Sequence, residues 1–445
     1  MSELLDLAQA AVEAARTAGA DFCDSYCSDT TEVSVDVERS SINYCATIRD
    51  QGISVRAYVN GGQGFATVQQ LDLQSARECG RRAVEMAKAA HPDPDFVRLP
   101  DPTEAEEVPE LFDERMAGLD SSAFVQWCLR GIEEAREVAS DAIVQGGAGA
   151  GWGDSALASS TGVALTRRGS SASVSFFVII NRDGDVGTYF EQDMARRMAD
   201  LEGEAIGEKA ARAALGQLGS RPVPTGRVPL ILGPLAAWGL IGSVISAAEA
   251  EGIQRNRSWL VGCEGQQIAS PLLTVREEPL IPAGLSSGAY DGEGVARRPR
   301  ALIDDGVLTT YLHNSYTAYK SGVMPTGHAS RGGYSSSVGI STSNLQVQPG
   351  EHTEAELISE VDNGIYVAYA GLSPNSVTGE VSTTIDFGFR IEGGELTAPI
   401  STTLVGSTAN ELLGGIDAVS SDYRDEPGLI MPSLRIESVQ IASEG

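Results

Sequence analysis

Histidine is scarce in this 445-residue chain. There are four, His91, His313, His328 and His352, and no two stand at the helical spacing that aims both imidazoles at one metal ion. None precedes a glutamate placed for general-base work. Lysine is as rare, at Lys88, Lys209 and Lys320, so arginine carries nearly all the positive charge. The net charge of −29 excludes direct binding to phosphate backbones and anionic lipid surfaces. The six cysteines are irregularly spaced, and Cys23-x-x-x-Cys27 is not a zinc-knuckle spacing, so they read as reduced and mostly buried. The N-terminal stretch lacks the basic residues of a signal peptide, and Ser2 is placed to cap an amphipathic helix there. A long apolar span is also missing. Val228 to Ala248 is uncharged, but Pro229, Gly233, Pro234, Gly239 and Gly242 interrupt it, which fits a strand, a turn and a buried helix. These absences together point to a cytoplasmic protein.

What is present suffices for packed cores, since 42% of the residues are hydrophobic. Residues 1–90 read as helix, antiparallel meander, helix. Val33, Val35 and Val37 alternate, as do Ile53, Val55, Ala57 and Val59, and Asn60-Gly61 is a turn. Asp72 is an N-cap for the second helix. Residues 91–118, rich in proline and acid, read as a linker over the surface. Residues 119–219 repeat the order. A helix capped at Asp120 or Ser121 runs to Val138, strands cover Ala142–Gln145, Thr161–Arg167 and Ala172–Asn181, and a short return spans Tyr189–Glu191. A second helix follows over Met194–Leu215. Residues 220–445 form a C-terminal domain of many short strands, including Leu272–Val275, Leu345–Gln348, Ile365–Ala370 and Leu396–Ile400, with turns at Asp305-Gly306 and Gly393-Gly394. The expected fold is α+β, with helix and antiparallel-sheet units followed by a strand-rich, barrel-like domain.

Several motifs need weighing. Gly284-Leu285-Ser286-Ser287-Gly288 satisfies G-x-S-x-G but lacks the preceding strand and following helix of a hydrolase elbow, so it reads as a loop. The run Gly146 to Gly151 lacks the lysine of a phosphate loop and reads as a flexible turn. Glu249 and Glu251 stand two apart on a helix end and face different ways. His328 could orient a substrate carbonyl, cap the helix at Ser315–Ser321 or serve as a structural hydrogen-bonding group, and Arg331 follows it. Asn344 and the segment from Gly364 through Tyr366 are candidate edge strands that could pair with an extended peptide.

The segments YDGEGVARRPRALIDDGVLTTYLHNSYTAYKSG (290–322), MPTGHASR (324–331), NLQVQPG (344–350) and GIYVAYAGLSPNSVTGEVSTTIDFGFRIEGGELTAPI (364–400) resemble the TldD/PmbA family, in its PmbA (TldE) branch. GFATVQQLD and DSALASSTGV fit shorter signatures of the same family, once named for modulation of DNA gyrase. The resemblance implies a heterodimeric zinc metallopeptidase that admits flexible peptides to a chamber and trims them, including leader-peptide removal. The TldD-like subunit would carry zinc on a His-Glu-x-x-x-His helix. In this chain the matching stretch, Trp238 to Glu251, has no histidine, and no cysteine follows Cys263 to supply a third ligand. The resemblance therefore implies a non-catalytic subunit with no cofactor of its own. Its partner would be a TldD-like protein or a second copy of itself, and His328, Arg331, Asn344, Gly364 and Tyr366 would lie along the peptide path. Two other readings remain open: a self-contained metallopeptidase with dispersed ligands such as His313, His328 and a carboxylate, and a metal-free homodimeric peptide-binding module.

Overall fold

The computed structural model describes residues 2–201, 203 and 205–443. The chain begins with α1 (Ser2–Ala18), β1 (Phe22–Glu38), β2 (Ser41–Val59), β3 (Gly62–Val68) and α2 (Leu73–Ala89). It then repeats that order with α3 (Ser121–Val138), β4 (Ile143–Ser159), β5 (Ala164–Arg182), β6 (Asp185–Ala195) and α4 (Ile206–Gly216). The Ser2 side chain lies outside the described residues, while Asp72 and Asp120 cap α2 and α3 as expected. The two repeats share one six-stranded sheet of order β3-β2-β1-β4-β5-β6. They join through the antiparallel β1–β4 pair, from Asp24 opposite Ser159 to Val37 opposite Gly146. A local approximate two-fold arrangement of elements results.

Period-two alternation sends Val33, Val35, Ala148, Ala150, Val174 and Phe176 to one face, where α3 and α4 cover them. Ile53, Val55 and Ala57 lie under α1 and α2 in the other half. Four cysteines, Cys23, Cys27, Cys79 and Cys128, are buried in these layers; Cys45 is exposed and Cys263 intermediate.

Three expectations change here. Residues 146–151 are not a flexible turn but the middle of β4, with Gly147 opposite both Asp36 and Ser175. A Cβ on Gly147 would stand 2.1 Å from the Val35 carbonyl oxygen, so glycine permits the close approach of β1 and β4. The helix over 194–215 is shorter. Met194 and Ala195 still pair with β5, and Gly203 and Ala205 have positive φ, so the helix starts only at Ile206. The proline-rich stretch does not simply lie on the surface. It threads the junction with the C-terminal domain, where the Thr103 hydroxyl accepts from the Ala296 N–H and Leu99 is buried.

The C-terminal part comprises β7 (Gly226–Leu232), α5 (Pro234–Ala247), α6 (Ala250–Gln254), β8 (Val275–Glu277), β9 (Arg300–Asp304), β10 (Val307–Leu308), α7 (Ser315–Ser321), β11 (Ala329–Ser330), β12 (Gly339–Ile340) and β13 (Leu345–Val347). There follow α8 (Glu354–Ser359), β14 (Asn363–Ala370), β15 (Glu380–Glu392), β16 (Glu395–Pro399), β17 (Thr403–Thr408), α9 (Ala409–Gly414), β18 (Ile416–Glu426) and β19 (Leu429–Ser443). Strands β7, β14, β15, β17 and β19 form a closed barrel, because β19 pairs with β7 as well as β17. The continuous apolar run Leu230-Ile231-Leu232 reflects burial on both faces of β7. Leu230 and Leu232 join α5 in the main core, and Ile231 packs with Leu357, Ile358 and Ile391. No helix among the described residues is long and apolar enough to cross a membrane.

Helix crossings in the sheet layer depend on glycine. A Cβ on Gly80 of α2 would lie 2.3 Å from the Ala11 carbonyl oxygen of α1. In an uncrowded helix, Gly→Ala stabilises by roughly 1 kcal/mol. Here Gly80→Ala should destabilise by about 1–3 kcal/mol, as overpacking does. Urea unfolding of the variant checks this, and a raised midpoint would show that the crossing has room.

Candidate functional site

The junction between the sheet and the C-terminal domain carries a buried charge cluster. Asp24 of β1 and Arg56 of β2 face away from the helices and meet the loop residues Glu293 and Arg331. Arg56 binds both Asp24 and Glu293, the latter at 2.7 Å, and Arg331 reaches Asp24 at 2.9 Å. The second Glu293 oxygen accepts the Ser315 N–H at the start of α7, and Arg331 Nε donates to the Gly292 carbonyl. Burial pushes the Asp24 carboxyl up, but the Arg56 and Arg331 guanidiniums outweigh it and hold Asp24 below the usual carboxylate range. Neighbouring Asp291 goes the other way, up to about 6, through burial and the charge of Glu293. Its oxygens are occupied by the Glu293, Val295 and Ala329 N–H groups.

Behind this cluster His328 is buried. Its Nε2 lies 2.7 Å from Glu277 and its Nδ1 2.7 Å from the Thr326 hydroxyl. The Thr326 hydroxyl also accepts from the His313 N–H, and His313 Nδ1 contacts Thr317. Burial draws His313 down to about 4. Among the described residues no three His, Cys, Asp or Glu side chains gather as a metal-ligand set. The stretch Trp238 to Glu251, where the resemblance places zinc ligands in other members, covers most of α5 and the start of α6, and its only ionisable side chains are Glu249 and Glu251. Among the described residues no side-chain set fits a zinc ion.

The uncovered face of the sheet forms a trough of about 800 Å³. Gly147, Gly149, Gly151 and Gly153 of β4 run down its middle, with Ser171, Ser173 and Ser175 of β5 on one side. Thr30, Glu32, Ser34 and Asp36 of β1 line the other. A smaller cavity of about 180 Å³ adjoins it against the C-terminal domain, and the two share Tyr26, Ser155 and Arg167. A floor of glycine and serine leaves room for a chain lying flat on the sheet.

The five residues expected along a peptide path separate into two groups. Arg331 lines the smaller cavity, and His328 is held between Glu277 and Thr326 without capping a helix. Asn344 is fully buried and holds the 284–288 loop. It accepts the Ser286 N–H and donates to the Glu278 carbonyl and the Ser287 hydroxyl. That loop has no helix after it, so the G-x-S-x-G match is no elbow. Gly364 and Tyr366 lie away from this group in the barrel, where the Tyr366 hydroxyl donates to Glu354. Neither candidate edge is free: β13 lies between β8 and β19, and β14 between β15 and β7. A peptide cannot add to strands whose two sides are already paired. Sequence reasoning missed Asp24, Arg56 and Glu293, which lie far apart in the chain and carry no local pattern.

Removing Arg331 leaves Asp24 buried with one cation. Arg331→Met should destabilise the protein by about 3–5 kcal/mol at neutral pH, the range for breaking a buried pair. The pH dependence follows from the depressed Asp24 value. Its contribution is present above the unfolded carboxyl value and is lost as pH falls through the folded value. With one guanidinium gone the folded value rises, so the variant should lose stability at a higher pH than the parent on acidification. Urea midpoints measured across that range test this; coincident acid limbs would count against the cluster.

Three family descriptions match consecutive stretches of the chain. They are PmbA/TldA metallopeptidase domain 1 over residues 23–87, the central domain over 101–218 and the C-terminal domain over 225–443. The Metalloprotease PmbA of Escherichia coli is 26% identical over 422 residues, spanning 94% of this chain and 91% of that protein. A Metalloprotease PmbA homolog of Haemophilus influenzae is 25% identical over 446 residues, spanning 99% and 96%. The crystal structure of TldE from Thermococcus kodakarensis superposes with a TM-score of 0.89 at 26% identity, covering 97% of this chain and 98% of that one. With its sheet, barrel and nearly its whole length matched in this order, the chain belongs to the PmbA/TldD family of metallopeptidase-type proteins.

Proposed function

We propose that this chain is a PmbA/TldE-type, non-catalytic subunit of a two-component zinc peptidase that trims flexible peptides. Hydrolysis would take place on a TldD-type partner. The observation that supports the reading is the stretch from Trp238 to Glu251, which has no histidine or cysteine and only Glu249 and Glu251 as possible ligands. A Lewis acid and an activated water need protein ligands to hold the ion. His313 and His328 do not replace them, since His328 has both ring nitrogens engaged and His313 uses Nδ1 within the fold. The trough supports a substrate-holding role. It offers exposed sheet surface to an extended chain, where recognition rests on backbone shape more than on side chains.

The test is to purify the chain alone and with a TldD-type partner, then measure mass, bound zinc and cleavage of an unstructured peptide. The expected result is a lone chain without stoichiometric zinc or hydrolysis, and a complex with both. Zinc held one-to-one by the lone chain's own side chains, with peptide cleavage, would overturn the reading.

A further inference from the structure

Three arginines converge where the trough meets the smaller cavity. Arg167 of β5 lines both spaces and lies over Gly288, where an added Cβ would come within 2.7 Å of its Nη2. Arg196 follows β6 and lines the trough. It donates to the carbonyls of Gly284 and Ser170, each at 3.1 Å, and to that of Leu285. Arg297 lines the smaller cavity, where Nη1 reaches the Ser286 carbonyl at 3.3 Å and the buried Nε has no hydrogen-bond partner.

Acidic residues outnumber basic ones 61 to 32, and arginines nearby at positions 56, 168 and 331 each hold a carboxylate. Arg167, Arg196 and Arg297 make no salt bridge among the described residues. The cations also feel one another. Burial, and then the charge of Arg167, lowers the proton affinity of Arg196 to about 10, and the same two causes lower Arg297. Asp291 is the only carboxylate lining the smaller cavity among the described residues, and three backbone N–H groups occupy it. A buried guanidinium N–H without a partner, beside two other unneutralised guanidiniums, calls for an oxyanion.

We infer that Arg167, Arg196 and Arg297 form a receptor for the terminal carboxylate of an extended peptide lying in the trough. This rests on the peptide-holding role proposed above. The carboxylate is planar and matches the guanidinium fork. The glycine and serine floor takes the preceding backbone, and the arginines fix which end of the chain lies at the cavity. Occupation places a negative charge beside the guanidiniums and offsets the repulsion that Arg167 exerts on Arg196 and Arg297.

The experiment titrates the full-length protein, alone and in complex with its TldD-type partner, with one unstructured peptide in three forms. These are the free acid, the C-terminal amide, and the free acid with its Glu and Asp side chains converted to Gln and Asn. Inorganic phosphate is the fourth ligand. The two free acids should bind alike, and the amide on the order of ten-fold more weakly, the size of a charge-assisted contact. Arg167→Gln alters an exposed side chain, so the fold should survive, and it should erase the difference between acid and amide. Arg297→Lys keeps the charge but loses the fork, and should reduce that difference. Equal binding of acid and amide overturns the receptor while leaving the peptide-holding role intact. Loss of affinity in the Gln/Asn form alone assigns the arginines to side-chain carboxylates instead. Phosphate binding without peptide discrimination identifies a free-anion site. No binding by any peptide overturns both the receptor and the role beneath it.

Discussion

The buried charges of Asp24, Arg56, Glu293 and Arg331 fix the geometry on which the rest of the molecule depends. Two residues come from adjacent strands of the N-terminal sheet and two from loops of the C-terminal domain. Ions taken out of water need directional partners, so such a cluster tolerates little sliding between the bodies it joins. Glu293 extends the constraint to the start of α7. A second anchor is of a different kind. Tyr189 and Phe190 of β6 pack on Phe387 and Tyr369 of the barrel, with ring centroids 4.8 Å apart for Tyr189–Phe387 and 5.1 Å for Phe190–Tyr369. Held at a charged corner and at an aromatic edge, the sheet keeps the face between them uncovered.

That uncovered face is compatible with stability because the opposite face does the burying. The valines, alanines and Phe176 of β1, β4 and β5 supply a core to the helices, so their outward neighbours are free to be small or polar. The glycines of β4 therefore have two consequences from one cause. Without side chains they let β1 approach closely, and they leave the strand backbone as a smooth floor. The loop at 284–288, held by Asn344 and Arg196, closes one end of this floor with carbonyls and guanidiniums rather than apolar groups.

Much of the framework is written locally in the sequence. Alternating Val33, Val35 and Val37, the caps at Asp72 and Asp120 and the Asn60-Gly61, Asp305-Gly306 and Gly393-Gly394 turns each state their structure within a few residues. Features set by long-range contact were not legible. Glycine has poor strand propensity, so the middle of β4 is a strand only because β1 and β5 flank it. Met194 and Ala195 look helical in isolation but belong to the ladder with β5. The segments at Asn344 and Tyr366 carry strand patterns, yet whether their strands are edges is decided by partners far away in sequence. The charge cluster suffers most from this distance: Asp24, Arg56, Glu293 and Arg331 lie far apart in the chain and have no motif in common.

The closure of the barrel has a consequence for how the chain is made. Strand β7 opens the C-terminal part, while β19, its antiparallel neighbour, lies at the far end and also pairs with β13, β17 and β18. A nascent polypeptide leaving the ribosome can complete the six-stranded sheet from its first half, whereas the barrel waits for the last strand to emerge. During that interval β7 presents an apolar edge with no neighbour on one side, which makes premature termination near the C-terminus a hazard of aggregation rather than a mild loss of stability.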